Sequence, residues 1–149
     1  MRSFCYERLL QWSECDPAGI IFFPHYARWM VEGVNLMLLA LGIDPNSKTE
    51  DGHEKGLPST GFTIAFHAPA MLHEYLVHEV VVAKIGTKSI GIKHRFLREG
   101  VCVAEAEETR IWTVDDGSGM RGVPISEHVR TLLESNEPLH HRVVRSIEV

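Results

Sequence analysis

Pro24-His25-Tyr26-Ala27-Arg28-Trp29-Met30-Val31-Glu32-Gly33-Val34-Asn35-Leu36-Met37-Leu38-Leu39-Ala40-Leu41 carries a helical period through its length. From Tyr26, the positions Trp29, Met30, Gly33, Val34, Met37, Leu38 and Leu41 recur at three- and four-residue steps. Arg28, Glu32 and Asn35 supply a narrower polar face. Pro24 suits the first helical position, where its missing N–H has no intrahelical partner to lose and its fixed φ is already helical. Gly42 is placed to end the helix as the residue after the cap. Leu36, Leu39 and Ala40 make the second half apolar almost all round, so the helix needs cover on most sides. A sheet provides it only by curling around the helix, or with a second subunit covering the rest.

Before this helix, Phe4 to Trp12 reads as a strand, with Phe4, Tyr6, Leu10 and Trp12 on one parity, and Ser13 to Gly19 supplies turn residues. After it, residues 43–57 form a polar connection, with one short helical turn expected in Lys48 to Lys55. Then Ser59–Ala68, Tyr75–Ile85, Ser89–Leu97 and Val101–Val114 are rich in β-branched and aromatic residues. The connections at Gly86-Thr87 and Glu99-Gly100 are too short for parallel crossovers, so these strands pair as antiparallel hairpins. Asp115 to Gly119 ends the last strand, Ser126 caps a short helix through Leu133, and Ser135 to Val149 is expected to be peripheral. The prediction is one α+β domain over 1–149, with its core in about 4–134, in which a five-stranded antiparallel sheet wraps around a long central helix.

A chain of 149 residues with 44% hydrophobic and 23% charged residues can bury such a core. Its net charge of -5 gives no general attraction for nucleic acid or anionic lipid. No run approaches the ~20 apolar residues of a membrane span, and the first dozen residues lack the apolar core and cleavage site of a signal peptide. Cys5, Cys15 and Cys102, odd in number and scattered, form neither a disulfide framework nor a CxxC site; they fit a reducing, cytoplasmic setting. His67, His73, His78 and His94 make no HExxH or compact Cys/His pattern, so no metal is expected.

Glu14-Cys15-Asp16-Pro17-Ala18-Gly19-Ile20-Ile21-Phe22-Phe23-Pro24-His25-Tyr26-Ala27-Arg28-Trp29 closely resembles the active-site segment of the 4-hydroxybenzoyl-CoA thioesterase family. The likeness combines Asp-Pro-Ala-Gly, two aliphatic residues, an aromatic pair, Pro, a spaced Tyr and Arg-Trp. The element order of roughly residues 4 to 130 is similar to that family too. The resemblance implies the hot-dog fold and a homodimer or homotetramer with the active site at the subunit interface. It also implies hydrolysis of an acyl-CoA to a carboxylic acid and CoA. No cofactor is implied, since CoA is part of the substrate. Carried over by position, Asp16 is the catalytic carboxylate, attacking the thioester carbonyl or activating water, and the Phe23 amide polarises the carbonyl oxygen. A carboxylate is ionised at neutral pH and can do either task, and a helix start offers free N–H groups and positive partial charge to an oxyanion. Gly19 leaves space for close approach.

The resemblance gives secondary roles to His25, orienting water or substrate; to Ser59 and Thr60, reaching the substrate from the neighbouring subunit; and to Lys88 and Ser89, contacting the CoA phosphates. Each has a plainer alternative: an exposed histidine, strand hydrogen bonding and a solvated turn lysine. Asp16 alone would read as an exposed turn residue; the surrounding motif favours catalysis. Two departures bear on specificity. Phe22-Phe23 stands where related Tol–Pal-associated acyl-CoA thioesterases carry Tyr-His, so no histidine role transfers there. Val31 stands where the benzoyl-type enzymes have an acidic residue that recognises the phenol, with Glu32 next to it, so an apolar or differently substituted aromatic acyl group is as consistent with the resemblance as 4-hydroxybenzoyl; the expected substrate is an aromatic or medium-size acyl-CoA. A hot-dog dehydratase or hydratase and a non-catalytic acyl-CoA-binding subunit are the alternatives; Asp-Pro-Ala-Gly favours hydrolysis.

Overall fold

The structure, a computed structural model, describes residues 1–141. The elements are β1 (Ser3–Leu9), a 3-10 turn (Trp12–Glu14), α1 (Pro24–Ala40), β2 (Glu54–Gly56), β3 (Ser59–Phe66), β4 (Tyr75–Ile85), β5 (Ser89–Arg98), β6 (Val101–Ile111), β7 (Thr113–Asp115), β8 (Met120–Gly122), α2 (Glu127–Glu134) and β9 (Leu139–His141). The main sheet runs β3-β6-β5-β4-β1-β9, antiparallel except for the β1–β9 pair. α1 lies across one face of it. This is the expected hot-dog arrangement, with six strands in place of five.

The sixth strand, β9, falls in the segment expected to be peripheral. It is held because Leu139 packs against the core beside β1, and the buried Arg2 guanidinium donates to the carbonyls of Leu132 and Glu137 on the way there. Residues 142–149 of the expected tail lie outside the described residues. β1 stops at Leu9, short of Trp12, since Leu10 turns fully into the core while Trp12 points into solvent. No helical turn forms in 48–55. Its end becomes β2, which joins β7 and β8 in a small second sheet. The long last strand breaks at Trp112, whose N–H turns away to the carbonyl of Lys88. α2 is capped as expected, with the Ser126 hydroxyl accepting from the Val129 N–H.

α1 begins at Pro24 and is followed by Gly42 at φ 71°, the left-handed conformation that a helix stop favours. Its buried face is Tyr26, Trp29, Met30, Gly33, Val34, Met37 and Leu38. Gly33 lets the helix approach the sheet: a Cβ there would meet His78 Cε1 at 2.5 Å. The sheet covers one side of the helix only, leaving Val31 and Leu39 exposed. Among the described residues no helix is long and apolar enough to cross a membrane.

Candidate active site

Glu14 to Phe22 folds into a miniature hairpin. The Phe22 N–H donates to the Glu14 carbonyl at 2.8 Å, Cys15 pairs with Ile21, and the Asp16 N–H donates to the Ile20 carbonyl at 2.8 Å. Three residues, Pro17-Ala18-Gly19, close it. The Gly19 N–H returns to the Asp16 carbonyl at 3.0 Å, and Gly19 itself sits at φ 75°. Pro second and a left-handed Gly after the turn are what this loop geometry favours. The backbone conformation by itself calls for glycine at position 19, and a Cβ there would meet no atom of this chain within 4 Å.

The turn also uses the Asp16 side chain, but only half of it. Oδ1 accepts the N–H groups of Ala18 (2.9 Å) and Ile20 (3.4 Å), an Asx arrangement. Oδ2 makes no hydrogen bond among the described residues, and the side chain is half-buried. One oxygen locks the carboxylate in place and the other remains free. The hairpin is fastened to the segment before β4 by Ile21 N–H to the Ala70 carbonyl and Leu72 N–H to the Gly19 carbonyl, both 2.9 Å.

The far limb of the hairpin runs straight into α1. Phe23 is the N-cap residue, Pro24 contributes no N–H, and the His25 and Tyr26 N–H groups donate back to the carbonyls of Phe22 and Phe23 at 3.0 Å. The Phe23 N–H is left without a hydrogen bond among the described residues. Its ring, 61% exposed, lies against Phe66 at the end of β3. His25 is half-buried with its ring edge-on to Phe22.

Glu14 is the residue that sequence reasoning passed over. Only 6% exposed, it accepts from Trp29 Nε1 at 2.6 Å and Arg28 Nη2 at 2.5 Å through Oε2, and from the Gln11 N–H at 3.1 Å through Oε1. It thus pins the base of the Asp16 hairpin to the first turns of α1. The one sequence signal pointing here is the Arg28–Glu32 pair at i,i+4, which continues the chain to Arg8.

Ser59, Thr60, Lys88 and Ser89 do not join this cluster within one chain. Ser59 pairs with Arg110, whereas Phe66 pairs with Ala104, so the start of β3 is about 23 Å from its Phe23-facing end at ~3.3 Å per residue. Thr60 sits in a bulge, its hydroxyl donating to the Thr109 carbonyl at 3.2 Å. Lys88 and Ser89 share that remote end, where the Gly86 N–H donates to the Ser89 carbonyl and Arg130 braces the turn through the Gly86 carbonyl. The Lys88 ammonium is exposed and forms no ion pair among the described residues.

β3 is the outer strand of the sheet and carries no charge along eight residues, with Phe62 and Phe66 55% and 52% exposed. Natural edge strands are usually blunted by charge, Pro or brevity.

Two of the histidines considered for metal binding serve a different purpose. His78 Nδ1 and the Tyr6 hydroxyl are 2.8 Å apart, His78 Nε2 and His94 Nδ1 2.9 Å, and His94 Nε2 and Glu108 Oε1 2.8 Å. Arg110 Nε completes the row on Glu108 Oε2 at 3.0 Å. The row lies fully buried between sheet and helix. Burial, with His94 and Arg8 nearby, holds His78 well below its ordinary value. Burial pushes the Glu108 carboxyl up, but His94 and Arg110 outweigh it and hold the group below its ordinary value.

The profile of the Thioesterase-like superfamily matches residues 10–133. The chain is 27% identical over 131 residues to 4-hydroxybenzoyl-CoA thioesterase of Pseudomonas sp. (strain CBS-3), covering 83% of this chain and 92% of that one. A mutant 4-hydroxybenzoyl CoA thioesterase complexed with 4-hydroxybenzoyl CoA superposes with a TM-score of 0.80 at 25% identity, over 89% of this chain and 99% of the other. A gentisyl-coenzyme A thioesterase superposes at 0.74 and 25% identity, over 88% and 99%. A 1,4-dihydroxy-2-naphthoyl-CoA thioesterase from Synechocystis shares the fold at 0.77 and 17% identity, over 88% and 95%.

Proposed function

The chain belongs to the thioesterase-like superfamily and is a thioester hydrolase, and from that premise we propose that it cleaves an aromatic or medium-size acyl-CoA to the free acid and CoA at Asp16. The observation that carries this reading is the divided carboxylate: Oδ1 is fixed by two backbone N–H groups, while Oδ2, on the same hairpin that delivers the Phe23 N–H, has like that N–H no hydrogen bond among the described residues. The thioester oxygen accepts from the Phe23 amide as it gains charge. Asp16 Oδ2 adds to the carbonyl carbon and expels CoA thiolate, leaving an anhydride for water to open, or takes a proton from the water that adds directly. Both routes consume one water and give the same products.

A second copy completes the site in this reading. Antiparallel pairing of two β3 edges about their middle lays the partner's first β3 residues beside Phe66, and so beside Phe23. Ser59 and Thr60 then serve the site of the opposite protomer, an arrangement that would account for their distance from Asp16 within one chain. Lys88 and Ser89, also at that end, come within reach of the CoA phosphates by the same operation. Phe23 and Phe66, whose rings meet, are the apolar side chains assigned to the acyl wall, and Val31 and Phe62 are further exposed apolar residues in the single chain. Such a wall suits an aromatic ring without a phenol, since burying an unpaired hydroxyl costs about 1–3 kcal/mol. The three free thiols suit a reducing compartment.

Thiol release from benzoyl-, 4-hydroxybenzoyl-, phenylacetyl- and medium-chain acyl-CoAs, measured for the wild type and Asp16→Asn, tests the proposal. We expect turnover of an unhydroxylated substrate and a loss of about 10²–10⁴ in kcat for the variant with unchanged folding. Near-normal turnover by Asp16→Asn would remove Asp16 from the mechanism, and enoyl-CoA hydration without thiol release would replace the reaction.

A further inference from the structure

The outer face of the sheet holds a second constellation that the thioester chemistry does not use. His67, Cys102 and Glu105 place one imidazole nitrogen, the thiol sulfur and a carboxylate oxygen all within 4.8 Å of one another. His67 Nε2 and Glu105 Oε1 are already 3.4 Å apart. We propose that these three side chains form a site for a single zinc ion, with the fourth position open to water.

The backbone that builds the cluster is irregular at this point. Cys102 and Glu105 are three residues apart on β6, and in a regular strand they would face opposite sides. The β5–β6 register slips instead: Phe96 pairs with Ala104 and Leu97 with Cys102, leaving Val103 as an extra residue. Val103 and Ala104 are consecutive and both buried, as such a bulge requires. The bulge swings Cys102 onto the outer face with Glu105. The same Val103 carbonyl accepts the N–H groups of His67 (2.8 Å) and Ala68 (3.1 Å), fixing the imidazole-bearing residue at the end of β3 above the other two. One irregularity therefore assembles all three donors.

The donor set fits zinc by type and by charge. Nitrogen, thiolate sulfur and carboxylate oxygen bind it at about 2.0–2.3 Å, so tetrahedral donors lie roughly 3.3–3.8 Å apart. The imidazole–carboxylate pair meets this separation, and the rest closes by about 1 Å through side chains that are partly in solvent. One thiolate and one carboxylate neutralise the dication. The Cys102 S–H proton leaves to solvent as the Zn–S bond forms, so binding strengthens as pH rises. Nothing in the site depends on how Asp16 acts.

Cobalt(II) added to the metal-free full chain under non-chelating reducing conditions reads the site directly. We expect tetrahedral visible bands and a near-ultraviolet thiolate-to-cobalt band saturating at one equivalent, both displaced by one equivalent of zinc. Cys102→Ala should abolish the near-ultraviolet band, and His67→Ala or Glu105→Gln should weaken binding by about tenfold or more. Cys5→Ala, which removes the other thiol close to an imidazole (Cys5 Sγ to His140 Nδ1, 3.0 Å), should leave the spectrum unchanged. Absence of the charge-transfer band at one equivalent, or its survival in Cys102→Ala, overturns the proposal and leaves His67–Glu105 as an ordinary surface ion pair. The three positions are partly or fully exposed, so the variants fold, and circular dichroism checks that they do.

Discussion

Replacing His78 with Gln should remove a pH dependence from folding stability while leaving the Asp16 hairpin intact. His78 faces Tyr6 on β1, His94 and Phe96 on β5, and Gly33 on α1, with Arg8 and Glu108 the nearest full charges, one beyond each end of the pair. Its folded pKa is depressed, so the unfolded chain binds the proton that the fold refuses. Stability from this group is complete above about pH 6.5 and falls as pH drops toward the folded value. One proton is worth about 1.36 kcal/mol per pH unit, and integration from pH 7.5 to 5.5 gives a loss of at most about 1.4 kcal/mol. That is a sizeable part of the 5–15 kcal/mol of a typical domain. Glu108 adds nothing in this window: its depressed pKa means its contribution persists above about pH 4.5 and is lost only below. Gln loses ring packing and weakens the row at every pH, a constant offset, so the readout is the slope. Urea unfolding of both proteins at pH 7.5, 6.5 and 5.5, at one fixed concentration, should show the wild type losing more than the variant by up to that amount. Parallel profiles would refute the reasoning.

Glu14→Ala should cost about 1–3 kcal/mol, because Trp29 Nε1 and the Gln11 N–H lose their acceptor; steady-state kinetics should show kcat falling with KM little changed. Gly33→Ala sets a helix-propensity gain of about 1 kcal/mol against a Cβ 2.5 Å from His78 Cε1 and 3.0 Å from Val80 Cγ2. Both contacts are fully buried, so overpacking of about 1–3 kcal/mol wins and the melting temperature falls. Phe62→Glu puts a charge on the β3 edge and should shift sedimentation to the monomer, with thiol release lost in parallel.

Much of this architecture is legible in the sequence because it rests on period. The α1 face from Tyr26 to Leu38 and the four strands after Ser59 follow from spacing, and Pro24 and Gly42 mark the helix ends. The Asp16 turn is legible from Asp-Pro-Ala-Gly, since each residue type answers one need of the loop. What escapes is whatever depends on a partner far along the chain. Parity puts His94 on the side of Ile90, Ile92 and Phe96, but not opposite His78 and Glu108. β9 is three residues with no alternation to read, and Glu14 looks like turn chemistry until Trp29 is seen above it. Parity itself fails at Val103, where one extra residue reverses the face of Cys102.

The Asp16 hairpin differs from the buried histidine row in how far apart its bonds lie in sequence. Its carboxylate is held by partners two and four residues away, whereas the row joins residues separated by 72, 16 and 14. Hairpins close in about 1–10 μs, so the Asp16 turn can take its shape early, while the imidazoles meet only once β1, β4, β5 and β6 are in register. A chain caught part-way through assembly would thus form the Asp16 turn before the α1 start is docked and, on the proposed function, before a site exists for it to serve.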